Sequence, residues 1–367
     1  MTTGLIFHDD YLKHKPPENH PENPLRLSAT MEHLMKTHVL SMVDQITPQE
    51  AKTEDVERVH SLEHINYIRC MSEKGHGRFA VIDPDTYVSP ETYHVALLAA
   101  GGVMAAGEAV VKKEVENVFA LVRPPGHHAS RNQATGFCFF DNMSVMVKHL
   151  QAKHGVKKVC VFDWDAHAPN GTMGTFYSDP TVLNMSIHQD PKSFYPGVGF
   201  IDQIGEGAGR GYTINFPVPG GTGDADYIYF INDFVVPYVR KFKPDLIAIA
   251  AGQDSHASDR ISQLNVTDAG YAEMTRIFME LADELCGGKL VLELEGGYNV
   301  RTLPVTHNAI ISTLLGIPHD KKVEGKPLQS THDLLTQLKN TLKTKSIWGE
   351  APDMHEASEE DNTCKRA

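Results

Sequence analysis

Residues 158 to 167 read Lys158-Val159-Cys160-Val161-Phe162-Asp163-Trp164-Asp165-Ala166-His167. A short apolar run rich in valine, closed at both ends by charge, is the pattern of a strand covered on both faces. Such strands occur in parallel sheets, and this one has companions. Val118 to Val122, Val182 to Ile187, Leu246 to Ala250 and Leu290 to Leu294 have the same make. Between them Met143 to His154, Asp224 to Lys241, Asp268 to Cys286 and the stretch after Pro304 carry helical spacing. Thr267-Asp268 and Thr222-Gly223-Asp224 offer N-cap chemistry. Nearer the N-terminus, helices are expected over Leu25 to Thr37 and Pro90 to Lys113. Strands alternating with helices need crossover connections, which predicts an α/β fold with a mainly parallel central sheet and helices on both faces. With no internal repeat and no low-complexity linker, one domain is expected over residues 1–345. An acidic tail follows over 346–367, where Glu356 to Asp361 reads as solvated and frayed.

Composition narrows the class. Apolar residues make up 41% and charged residues 22% of the 367 positions, as in a folded protein. Apolar runs such as Leu246 to Ala251 are too short to cross a bilayer, so no membrane partner is expected. The N-terminus lacks a basic start followed by an apolar core, so no secretory signal is read there. The five cysteines form no C-x-x-C pair, which suits free thiols in a reducing cytoplasm. A net charge of -13 argues against nucleic acid as a partner. It either steers a cationic substrate inward or only keeps the chain soluble.

In parallel sheets chemistry gathers beyond the carboxyl ends of the strands. Asp163, Asp165 and His167 stand there, two residues apart and therefore on one side. Three ionisable groups so placed either cap the helix beginning near Asn170 or surround a divalent cation, for which Asp and His are ordinary ligands. Ala250-Ala251-Gly252-Gln253-Asp254 ends another strand and offers Asp254 as a third ligand, leaving a fourth position open for water and substrate.

Arg123-Pro124-Pro125-Gly126-His127-His128 follows Val118 to Val122, and its prolines and glycine make a rigid turn carrying tandem histidines. Histidine is the side chain best suited to moving protons near neutral pH. Asp163 is placed to orient His127, and Asn170 to orient His128, which would make the two imidazoles chemically different. Glu293-Leu294-Glu295-Gly296-Gly297-Tyr298 ends the last strand. Its paired glycines allow a sharp turn that presents Tyr298 either to an oxyanion or to the core.

Taken in order, R-P-P-G-H-H-A, Gly136-Phe137-Cys138-Phe139-Phe140, D-W-D-x-H, Ala251-Gly252-Gln253-Asp254 and Gly296-Gly297-Tyr298 resemble the histone deacetylase family. That family includes acetylpolyamine amidohydrolases and has the arginase/deacetylase-like fold. The resemblance spans roughly Leu5 to Pro318. It implies that Asp165, His167 and Asp254 hold Zn2+, with Fe2+ as an alternative, that His127 and His128 act as base and acid, and that Tyr298 polarises the scissile carbonyl. It implies a substrate channel lined by Gly136, Phe137 and Tyr195, with Arg26 near an internal cavity. Structural K+ ions would lie at Asp163, Asp165, His167, Ser186 and Ile187, and at Phe176, Asp179, Val182 and Tyr212.

The chain departs from the family pattern at Asp165-Ala166-His167-Ala168-Pro169-Asn170-Gly171, where a second histidine has become Ala168 and a glycine Pro169. A change beside a ligand commonly alters metal affinity or activity by ~10–100-fold. The implied reaction is hydrolysis of an N-acyl amide to a carboxylate and a free amine, on a small-molecule or peptide acyl-amine. Acetyl-lysine and acetylpolyamines both remain open. Asp259-Arg260-Ile261-Ser262 sets Ile261, not an acid, near the channel rim, which favours lysine-type or small acyl substrates. Two rivals stand beside this reading. One is a binuclear ureohydrolase, for which Pro169 and His256 occupy positions of bridging carboxylates. The other is a module that binds acyl-amines without cleaving them. A homo-oligomer is also left open.

Overall fold

In the computed structural model, residues 2–74 and 79–345 are described. The acidic stretch 346–367 lies outside the described residues. The strands are β1 (Thr3–Ile6), β2 (Asp44–Ile46), β3 (Ala80–Val81), β4 (Tyr87–Val88), β5 (Asn117–Ala120), β6 (Val159–Asp163), β7 (Val182–Gln189), β8 (Thr213–Val218), β9 (Leu246–Ala251) and β10 (Leu290–Leu294). The helices are α1 (Leu25–Lys36), α2 (Thr53–Val56), α3 (Leu62–Lys74), α4 (Thr92–Val111), α5 (Asn142–Lys153) and α6 (Asn170–Phe176), then α7 (Asp224–Phe230), α8 (Val236–Phe242), α9 (Asp268–Cys286), α10 (Leu303–Leu314) and α11 (Gln329–Lys345).

Eight strands form one parallel sheet in the order β2-β1-β5-β10-β9-β6-β7-β8, and β3 with β4 makes a small antiparallel pair. Every residue of β5, β6, β7, β9 and β10 is buried, which requires a layer of helices on each face. The fold is the mainly parallel α/β architecture expected. On one side Phe162 packs on Phe278 of α9, ring centroids 4.8 Å apart, and the fully buried Trp164 meets Tyr271 of the same helix at 6.0 Å.

The edges escaped the sequence pattern. β1 is four residues long and contains a glycine, and β2 is half exposed. β8 carries Pro217, which lacks an N–H and is tolerated because β8 is an edge strand. The helix expected over Asp224 to Lys241 is interrupted by a π-helical turn at Ile231–Val235. Thr267 caps α9 without a side-chain bond. Its hydroxyl donates instead to Asp224 Oδ2 at 2.6 Å, tying α9 to α7.

One apolar stretch was passed over in the sequence. Thr92–Val111 is long and apolar enough to cross a membrane by length and composition, yet 78% of its most apolar window is buried inside the protein. Here α4 serves as a core helix, packed along β1, β5 and β10.

Candidate active site

The strand order does what the sequence order conceals. β5, β10, β9 and β6 are consecutive neighbours in the sheet, so the segments that leave their carboxyl ends converge. Those segments carry His127-His128, Tyr298, Asp254 and Asp165-His167.

At the centre, His167 Nδ1 lies 3.0 Å from Asp165 Oδ1 and 2.9 Å from Asp254 Oδ2. The three groups offer ligand atoms all within 4.8 Å of one another, and all three side chains are buried or nearly so. Asp165 Oδ2 accepts from Gly296 N at 2.8 Å, and Asp254 Oδ1 from Ala166 N at 2.8 Å. Asp254 Oδ2 is buried with the His167 ring nitrogen beside it. Two carboxylates and one imidazole nitrogen converging on one buried point fit a divalent cation of the zinc class. The electrostatics agree. Burial resists charging His167, but Asp254 and Asp165 outweigh it and push the imidazole up to about 9. Burial and the charge of Asp165 push the Asp254 carboxyl up to about 7. Helix α6 begins after Pro169 with no side-chain cap, so neither Asp163 nor Asp165 serves as its cap.

His127 and His128 stand beside this cluster. His127 Nδ1 is 3.0 Å from Asp163 Oδ2, and His128 Nδ1 is 2.6 Å from Asn170 Oδ1, the two orientations expected. Burial opposes a charge on His127, but the carboxylates of Asp165, Glu295 and Asp163 hold its proton affinity well above the ordinary value. Burial depresses that of His128, and the charges of His127 and His167 depress it further.

The aromatic walls are partly as expected. Tyr195 meets the His128 ring edge-on at 5.0 Å and bonds Thr135 Oγ1 at 2.8 Å. Phe137 meets the Tyr298 ring edge-on at 5.8 Å. Gly136 has φ +58, and a Cβ there would run into the His128 imidazole, so only glycine lets the backbone pass so closely. Phe194 was not singled out by its own pattern, yet its ring stacks on His167 with centroids 4.5 Å apart.

Arg26 is fully buried beneath Tyr298, its guanidinium carbon 4.9 Å from the ring centroid. Its donors go to Gly297 O at 2.6 Å, to Glu22 Oε1 at 3.2 Å and to Glu295 O. Ile261 is tied by its backbone to Asp259. Asp259 Oδ1 accepts from Ile261 N at 3.0 Å, while its Oδ2 accepts from Tyr298 N at 2.6 Å. Ser186 pairs in register with Asp163, but its hydroxyl is 2.6 Å from His188 Nδ1, and Ile187 follows it on β7. Asp179 N donates to Phe176 O at 3.0 Å and Val182 N to Asp179 O at 3.5 Å, while Tyr212 O accepts from Asn184 N at 2.8 Å. There the Lys148 ammonium lies 2.6 Å from Asp179 Oδ2 and 5.0 Å over the Phe176 ring.

Two supports were missed. Glu295 Oε2 accepts from Gly126 N at 2.8 Å and His127 N at 3.2 Å, clamping the histidine turn to the end of β10. Its signal was present as the Glu293-x-Glu295 alternation, which puts two carboxylates on one face of a buried strand. Glu22 pairs twice with Arg123, at 2.6 and 2.7 Å, fixing the residue that opens the same turn. At the departure, Ala168 is buried and the backbone of Gly199 (φ +98) lies so close that a Cβ there would come within 2.6 Å of the Ala168 methyl. The chain has closed over the place where a larger side chain would stand.

A family model described as "Histone deacetylase domain" matches residues 20–314. A probable deacetylase of Archaeoglobus fulgidus is 44% identical over 319 residues, which are 86% of this chain and 87% of that protein. A histone deacetylase-like amidohydrolase of Pseudomonas aeruginosa is 38% identical over 268 residues, 73% of this chain and 69% of that one. Several fungal and plant histone deacetylases also match, and the chain spans only 40% to 55% of their length. The solved HD domain of HDA15 superposes with a TM-score of 0.86 at 34% identity, over 93% of this chain and 95% of that one. By sequence and by fold, the chain belongs to the histone deacetylase family.

Proposed function

We propose that the protein is a zinc-dependent deacylase that hydrolyses N-acyl amides, acetyl above all, of lysine side chains or related cationic amines. The observation that carries this reading is the convergence of Asp165, His167 and Asp254 beside a pair of histidines, one bonded to Asp163 and the other to Asn170.

Asp165, His167 and Asp254 would hold the ion, which when bound supplies Lewis acidity for the acyl carbonyl and lowers the pKa of water. His128, kept neutral by burial and with Nδ1 bonded to Asn170, accepts the proton from the attacking water at Nε2. The same imidazole then returns that proton to the leaving amine, the step that releases product. His127 keeps its charge against Asp163 and adds positive potential where the oxyanion develops. Burial holds the Tyr298 phenol well above its usual pKa, so the hydroxyl stays a donor and is offered to the same oxyanion. Phe137 and Tyr195 flank the acyl-amine chain, and monovalent cations at the two expected groups would be structural.

The binuclear rival loses ground on geometry. Asp163 is committed to His127, and His256 turns to Ser258 and Asp268, at 2.8 and 3.5 Å. The decisive experiment offers fluorogenic acetyl-lysine peptide, acetylputrescine and acetylspermidine side by side, after chelation and after return of Zn2+ or Fe2+. Chelator-sensitive release of acetate is expected, with acetyl-lysine preferred. Binding of all three without turnover by the metal-loaded protein would establish the non-catalytic reading instead.

A further inference from the structure

A second group of metal-type ligands lies at the other end of the sheet from the catalytic motifs. Glu108 on α4, His149 on α5 and His154, which closes α5, offer ligand atoms within 4.8 Å of one another. Both imidazoles aim Nε2 at a single oxygen: His149 lies 2.8 Å and His154 3.4 Å from Glu108 Oε1. Tetrahedral zinc with bonds of 2.0–2.1 Å separates its ligand atoms by about 3.3 Å, so these spacings need only small side-chain shifts to close on an ion.

The far side of His149 adds an independent observation. Its Nδ1 is 3.0 Å from Asp55 Oδ1 on α2. A carboxylate bonded to the remote nitrogen of an imidazole fixes the tautomer with the proton on Nδ1 and turns the Nε2 lone pair towards a metal. The second imidazole, His154, has no reason of its own to share the same oxygen. Lys112 pairs with the other oxygen, Glu108 Oε2, which leaves Oε1 facing the two imidazoles. His149 is nearly buried, while Glu108 and His154 keep some exposure, which gives an ion a route in and leaves water a fourth position.

The position in the fold separates this group from catalysis. Glu108 is near the end of α4, which leads into β5, and His149 and His154 are at the end of α5, which leads into β6. The group therefore stands at the amino edge of the sheet, and the tandem histidines and the Asp165 cluster stand at the carboxyl edge. We propose that Glu108, His149 and His154 form a second divalent-metal site of the zinc class, structural in role, which pins α4 to α5 with Asp55 of α2 as the positioning carboxylate.

Metal content per chain tests it. Purified protein is loaded with excess Zn2+, exchanged into metal-free buffer and counted by elemental analysis, for the wild type, His154→Ala, His149→Gln and Asp254→Asn. Two ions are expected in the wild type and one in each variant, with none in His154→Ala combined with Asp254→Asn. If only the catalytic reading fails, the wild type holds one ion and His154→Ala holds none. Circular dichroism confirms that each counted variant is folded. In the Asp254→Asn background, Zn2+ should raise the melting midpoint, and Asp55→Asn should weaken that zinc affinity by ~10–100-fold without abolishing it. A zinc content unchanged by both His154→Ala and His149→Gln would overturn the proposal and leave only a hydrogen-bonded cluster between the helices.

Discussion

His127 and His128 are neighbours in the chain with ring centroids 4.0 Å apart, yet one is bonded to a carboxylate and the other to an amide. That difference adds to the unequal charges around the two rings, which raise the proton affinity of His127 and lower that of His128. Asp163→Asn keeps an oxygen for the Asp165 N–H, 2.8 Å away, but removes the charge beside His127. We expect turnover to fall on the order of 10²-fold. Losing a carboxylate lowers the proton affinity of His127, so the alkaline limb of the pH–rate profile should move to lower pH. An unmoved limb would show that His127 does not set it.

Tyr298 and its anchor give separable effects. Tyr298→Phe removes only the hydroxyl, so zinc content and melting midpoint should hold while turnover drops on the order of 10²–10³-fold. Asp259→Ala removes the acceptor of Tyr298 N and Asn299 N. Hydrogen bonds to a charged group contribute about 1.5–3 kcal/mol each, so that variant should lose stability as well as turnover. Equal melting curves for wild type and Asp259→Ala would count against the anchoring role.

Gly136→Ala combines a left-handed backbone with a Cβ driven into His128. The backbone alone costs about 1–2 kcal/mol. Displacing the imidazole should lower turnover on the order of 10²-fold with metal still bound. Full activity in this variant would mean that the loop has room the structure does not show.

His307 supplies a pH prediction away from the chemistry. It lies 2.9 Å from Thr30 Oγ1 and 3.0 Å from Gln253 Oε1, and burial with the charge of Arg26 pushes it down to about 3. The unfolded chain binds a proton there near pH 6.5 and the folded chain does not. As pH falls below ~6.5 the wild type therefore loses about 1.4 kcal/mol per pH unit from this residue. His307→Gln should be less stable at pH 7 but should show a slope of unfolding free energy, between pH 6 and 4, shallower by about that amount. Denaturant titrations at three pH values measure both slopes, and parallel slopes would refute the assignment.

Much was legible in the residues themselves. Period and composition gave the buried strands, because a strand covered on both faces must be apolar throughout, and the run ending at Asp163 shows this without any structure. The pairings of His127 with Asp163 and of His128 with Asn170 were readable as well, since a charged or amide side chain at a strand end needs a partner. Edges were not legible. β1, β2 and β8 are short, or interrupted by glycine or proline, and their apolar content falls below what marks a strand.

The sequence by itself determined which chemical groups are present and that each stands at a strand end. Only the tertiary structure decided that they meet, because strand order is a property of packing. β10, far along the chain, inserts between β5 and β9, bringing Glu295 to the backbone of His127 and Gly296 to Asp165. The same holds at the opposite edge, where Glu108 and His149, 41 positions apart, share one bond. Local patterns follow from which residues adjoin along the chain, whereas sites follow from which surfaces must be buried together.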